Sequence, residues 1–133
     1  MSDGGSRASV RWAVALAGAI LLASCEDPLL FMQDRVPFEP PRPVFTLYWG
    51  SVVECSGLPL ADFDRVSWFE IESFAVGADL RARWNSPHDI TLRSDSRLDE
   101  FVVKHEMLHD LLGGDGDHAH AAWVGCGLLA ASD

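Results

Sequence analysis

The sequence predicts a small α+β domain: a mixed or antiparallel sheet of three or four strands, followed by one amphipathic helix. Three observations carry this expectation. Segments in which apolar and polar residues alternate fill the first half of residues 44–133. Over residues 98–112 the spacing changes to threes and fours, and it stops at Gly113-Gly114. Ahead of residue 44 the chain is first too uniformly apolar and then too rich in proline to contribute a core.

Residues 1–24 have the layout of an export signal. Arg7 and Arg11 make a positive start, and the following stretch to Ala23 carries no charge and is too short to span a bilayer. It ends in Leu22-Ala23-Ser24-Cys25, which resembles the lipobox of bacterial lipoproteins. That resemblance implies removal of the leader before Cys25, lipidation of Cys25, and tethering to a membrane of the bacterial cell envelope. The whole chain has a net charge of −10, and a leader of net +1 leaves −11 on the remainder. Such a surface repels nucleic acid, so no nucleic-acid partner is expected.

Residues 25–43 hold five of the seven prolines and are expected to be an extended spacer between lipid and domain. The folded unit is then residues 44–133. A core of this size gains from cross-links. With Cys25 lipidated, Cys55 and Cys126 remain as a pair in an oxidising compartment and are expected to form a disulfide.

Within the unit, Phe45, Leu47 and Trp49 alternate with Thr46 and Tyr48, which predicts a strand continuing toward Val52-Val53. Residues 66–74 are aromatic and β-branched and predict a second strand. Leu80, Ala82 and Trp84 alternate with Arg81 and Arg83 and predict a third. Asn85-Ser86-Pro87 reads as a turn into a short strand over 89–93, with Ile90 and Leu92 on one face.

The helix follows. Ser94, Asp95 or Ser96 can cap it, and Asp99 and Glu100 suit the positive end of its dipole. Leu98, Phe101, Val102, His105, Leu108, His109 and Leu112 fall near one face, while Lys104 and Asp110 lie off it on the solvated side, Asp110 being a possible outer partner of a site. Gly113-Gly114 ends the helix by accepting the left-handed backbone of a C-cap.

This helix carries His105-Glu106-Met107-Leu108-His109. Histidines four apart present both imidazoles to one metal ion, and a glutamate beside the first can hold and deprotonate a water. Hydrolytic zinc sites take three protein ligands and keep a fourth position for water. His118 is the expected third ligand, reached through the sharp reversal that Gly113-Gly114 permits; His120, Asp115 and Asp117 are rivals. Tyr48 and His88 are candidates for an oxyanion donor, and Trp49, Trp68, Trp84 and Trp123 for core or cleft wall.

The string HEMLHDLLGGDGDH is similar to the active-site helix and turn of zincin metallopeptidases, in particular the metzincin-like branch with HExxHxxGxxH. Here the glycine lies four residues past His109, the histidine nine, and no methionine follows His118. The resemblance implies a zincin-like fold, zinc on His105, His109 and His118, and Glu106 as general base in peptide-bond hydrolysis. It also implies that the strand before the helix, here residues 88–93, forms the sheet edge along which an extended peptide or protein substrate lies. The competing expectation is a lipoprotein that binds zinc without catalysis, or a tethered interaction module stabilised by it.

Overall fold

The computed structural model describes residues 34–74 and 79–129. The leader and Cys25 lie outside them. In chain order the elements are β1 (Val36–Pro37), α1 (Arg42–Ser56), a 3-10 turn (Phe63–Arg65), β2 (Ser67–Ile71), β3 (Ala82–Asn85), β4 (Asp89–Arg93), α2 (Glu100–Leu112) and α3 (Ala122–Cys126). The result is an α+β domain with a four-stranded mixed sheet in the order β1-β2-β4-β3. β2 and β4 run parallel, whereas β1 pairs with β2 and β3 with β4 antiparallel.

Two expectations at the N-terminal end are corrected. The segment around Phe45, Leu47 and Trp49 is helix α1, not a strand. Pro41 and Pro43 suit the first turn of a helix, and the buried residues are Phe45, Trp49 and Val52, spaced by four and three. Leu47, which alternation would send inward with Phe45, is 73% exposed. Regular structure also occurs inside the proline-rich segment: Val36 and Pro37 pair with Glu70 and Phe69, and α1 starts at Arg42. Proline at the sheet edge costs no ladder bond when its missing N–H faces outward.

The strands expected at 66–74, 80–84 and 89–93 correspond to β2, β3 and β4. The expected edge strand is corrected. β4 lies between β2 and β3 and is paired along both sides, so among the described residues β3 is the outer strand on that side. Asn85-Ser86-Pro87 does turn the chain, with a cis Ser86–Pro87 bond and His88 at φ 57°.

α1 and α2 contribute one side of the core, with Phe45, Trp49 and Val52 meeting Trp68, Ile90, Leu92, Val103, Met107 and Leu108. Trp123 and Leu128 close it from the C-terminal end. Cys55 and Cys126 form the expected disulfide, joining the last turns of α1 and α3 across 71 residues of sequence.

α2 is capped by Asp99, whose carboxylate accepts the Val102 N–H at 3.2 Å, so the cap lies later than Ser94, Asp95 or Ser96. Gly113 ends it at φ 67°, as expected. The buried face is rotated from the expected stripe: Leu98 and Phe101 are exposed, while Val103, Glu106, Met107 and Asp110 are buried. His105 and His109 therefore stand at the rim of that face, half-buried, with Glu106 deeper inside.

A candidate metal centre

At 100° per residue, His105 and His109 project about 40° apart from α2. Beyond Gly113 and Gly114 the chain reverses, and His118 returns over the same turn of helix. Its Nε2 lies 3.1 Å from Nε2 of His105 and 3.2 Å from Nε2 of His109. The three histidines can hold a metal ion, their ligand atoms all lying within 4.8 Å of one another. Nitrogens at about 2.0–2.1 Å from a tetrahedral ion are separated by about 3.3 Å, close to the spacing seen.

The outer hydrogen bonds fit this chemistry. His105 donates its Nδ1–H to the Leu128 carbonyl at 2.9 Å, and His109 donates its own to the Gly114 carbonyl at 2.7 Å. A carbonyl only accepts, so the proton of each ring sits on Nδ1 and the lone pair of each Nε2 faces the common point. Without a metal, one proton on His118 Nε2 can be shared between them. Burial, with smaller contributions from the neighbouring imidazoles, pushes His105 down to about 4; burial also lowers His109. Both rings are thus neutral at neutral pH, the form a metal requires.

Glu106 lines the same cleft and is only 7% exposed. Burial pushes its carboxyl up to about 8, against a smaller opposing effect of the Trp84 backbone N–H that it accepts. The cleft has a volume of about 330 Å³, and β3 forms its wall through Ala82, Arg83 and Trp84. The Arg93 N–H bonds the Arg81 carbonyl, so Arg81, Arg83 and Asn85 share the hydrogen-bonded register with β4. The N–H and C=O groups of Ala82 and Trp84 consequently point away from β4, toward the cleft side. Tyr48 and His88 are not among the residues lining the cleft.

Two of the rivals to His118, Asp115 and His120, have other partners. Asp115 accepts the His120 N–H at 2.9 Å and the Trp123 indole N–H at 2.6 Å, which hold its carboxyl below the usual carboxylate range. His120 accepts the Ala122 N–H on Nδ1 and stands outside the cluster.

Two features go further than the expected cleft wall at Trp123 and outer partner at Asp110. Trp123, fully buried, packs against all three imidazoles, with ring centroids at 4.8, 4.6 and 4.4 Å from His105, His109 and His118. Asp110, expected mainly on the solvated side, is almost wholly buried. It accepts from Arg65 at 2.8 and 3.0 Å, and from Trp84 Nε1 at 3.0 Å, with His88 Nδ1 also at 3.0 Å. It therefore fixes Trp84, whose backbone holds Glu106.

Comparison with protein-family models, with curated proteins and with solved structures returns no match.

Proposed function

We propose that this protein is a zinc-dependent peptidase, with His105, His109 and His118 as ligands and Glu106 as general base. The observation that carries the reading is a buried carboxyl opening into the cleft where the three imidazoles converge. A site that serves only to hold metal has no use for a desolvated acid beside it. Zinc bound there would polarise a carbonyl and bring the pKa of a water near neutrality.

Glu106 takes the water's proton on its carboxylate and returns it to the leaving amine. The Trp84 N–H steadies that carboxylate, and the carbonyls of Leu128 and Gly114 keep two imidazoles in the ligating tautomer. An extended peptide adds to β3, pairing with the outward N–H and C=O of Ala82 and the carbonyl of Trp84, whose N–H stays on Glu106, in place of the strand over 88–93. By the same proposal Cys25 carries lipid and the domain faces the oxidising side of a bacterial envelope membrane, a setting in which the Cys55–Cys126 bond persists.

The test is Glu106→Gln assayed beside the wild-type protein on a broad peptide library, with zinc content measured in both. Retained zinc with lost cleavage supports the reading. A zinc-loaded wild-type protein that cleaves nothing in the library overturns the peptidase in favour of a metal-binding lipoprotein.

A further inference from the structure

The turn that delivers His118 is held in a costly conformation. Asp115 and His118 both have positive φ, 65° and 55°, without being glycine. Residues other than glycine seldom adopt this left-handed backbone unaided, so the turn needs an outside hold. Asp115 supplies the inner part: its backbone carbonyl accepts the His118 N–H at 3.0 Å, and its carboxylate accepts the His120 N–H. The outer part comes from Trp123 in α3, whose indole N–H meets that carboxylate at 2.6 Å.

Trp123 is well anchored for this purpose. It is fully buried, its N–H bonds the His120 carbonyl, and its carbonyl accepts the Leu128 N–H. Leu128 in turn accepts from His105. The indole thus forms the floor beneath the three rings and also ties the third ligand's turn to that floor. A phenylalanine would fill the floor without supplying the tie.

We infer that Trp123 and Asp115 are positioning residues that bring His118 into the metal's coordination sphere, making the site three-coordinate rather than two-coordinate in protein ligands. The inference rests on the metal reading above and is independent of whether the protein cleaves peptides. It gives Trp123 a role that filling the core does not require.

The experiment titrates Co²⁺ and Zn²⁺ against a chromophoric chelator in the wild-type protein and in Trp123→Phe, Asp115→Ala, His118→Ala and the Trp123→Phe/His118→Ala double variant. The Co²⁺ absorption spectrum reports the ligand set. Trp123→Phe and Asp115→Ala should each weaken metal binding ten- to a hundredfold and shift the Co²⁺ spectrum toward that of His118→Ala. The double variant should bind no more weakly than His118→Ala alone, because the tie acts only through His118. Wild-type affinity and spectrum in both single variants overturn the inference and leave the metal site standing, as does a double variant whose losses add in full. A wild-type protein that binds neither metal overturns both. Asp115 lies in the turn outside the core, so its variant carries the test if Trp123→Phe does not fold.

Discussion

Glu106→Gln has a consequence for stability that can be worked out before any substrate is known. The carboxyl is pushed up to about 8 from 4.5 by burial. A raised folded-state pKa contributes stability that is fully present below the unfolded value and is lost as pH rises through the folded one. Each pH unit between the two values costs about 1.4 kcal/mol. His105 acts in the opposite sense, because its pKa is lowered from 6.5 to about 4 and the folded state loses stability as pH falls through that range. His109, also lowered, adds in the same direction. Below pH 6.5 the slope of His105 cancels that of Glu106 and His109 tips the sum toward loss on acidification; above it Glu106 acts alone. The metal-free protein should therefore lose on the order of 2 kcal/mol between pH 6.5 and 8, then level off. Glu106→Gln should abolish that loss, leaving only the decline on acidification. Saturating zinc should also suppress it, since a cation favours the ionised carboxylate. The assay is urea unfolding followed by tryptophan fluorescence in the presence of chelator, from pH 5.5 to 8.5, with the slope against urea held common. Parallel curves for the wild-type and Gln proteins between pH 6.5 and 8 would refute the buried-acid argument.

Three further outcomes follow from the same contacts. Replacing Asp110 by alanine strands Arg65 and unties Trp84, and should cost about 3 kcal/mol in urea unfolding; a loss under 1 kcal/mol would mean that Arg65 simply turns to solvent. Reducing the Cys55–Cys126 bond with a dithiol, or replacing both cysteines by serine, should cost about 4 kcal/mol. It should also weaken zinc binding, because Leu128, the acceptor for His105, lies two residues beyond Cys126; unchanged zinc affinity in chelator competition would break that link. Peptides N-methylated at alternate amides should lose cleavage in one register and keep it in the other if they pair with β3, whereas equal loss in both registers would argue against strand addition.

How much was legible in the sequence depended on how local the deciding contacts are. α2, its glycine stop and the convergence of its two histidines with His118 follow from spacing along one helix and one turn. β2, β3 and β4 follow from short alternating runs bounded by turn residues. Alternation hides α1 because Phe45, Leu47 and Trp49 satisfy a period of two, while its burial follows Phe45, Trp49 and Val52; the two patterns share Phe45 and Trp49. The outer strand is not legible in the sequence because spatial order departs from chain order: β4 inserts between β2 and β3. Asp110 takes its partners from Arg65, Trp84 and His88, more than twenty residues away, and no local pattern reveals them. Sequence groups Trp123 with three other tryptophans as core or cleft wall; its indole N–H bond to Asp115 depends on the fold of the intervening turn.

The central claim is that three imidazoles form one metal centre, and zinc stoichiometry tests it most directly. Purified protein equilibrated with micromolar zinc and freed of excess should retain one zinc per chain by elemental analysis. His118→Ala should lose most of it under the same conditions, and His120→Ala should keep it. A wild-type protein that retains no zinc, or a His118→Ala variant that binds as tightly as the wild type, would contradict the assignment.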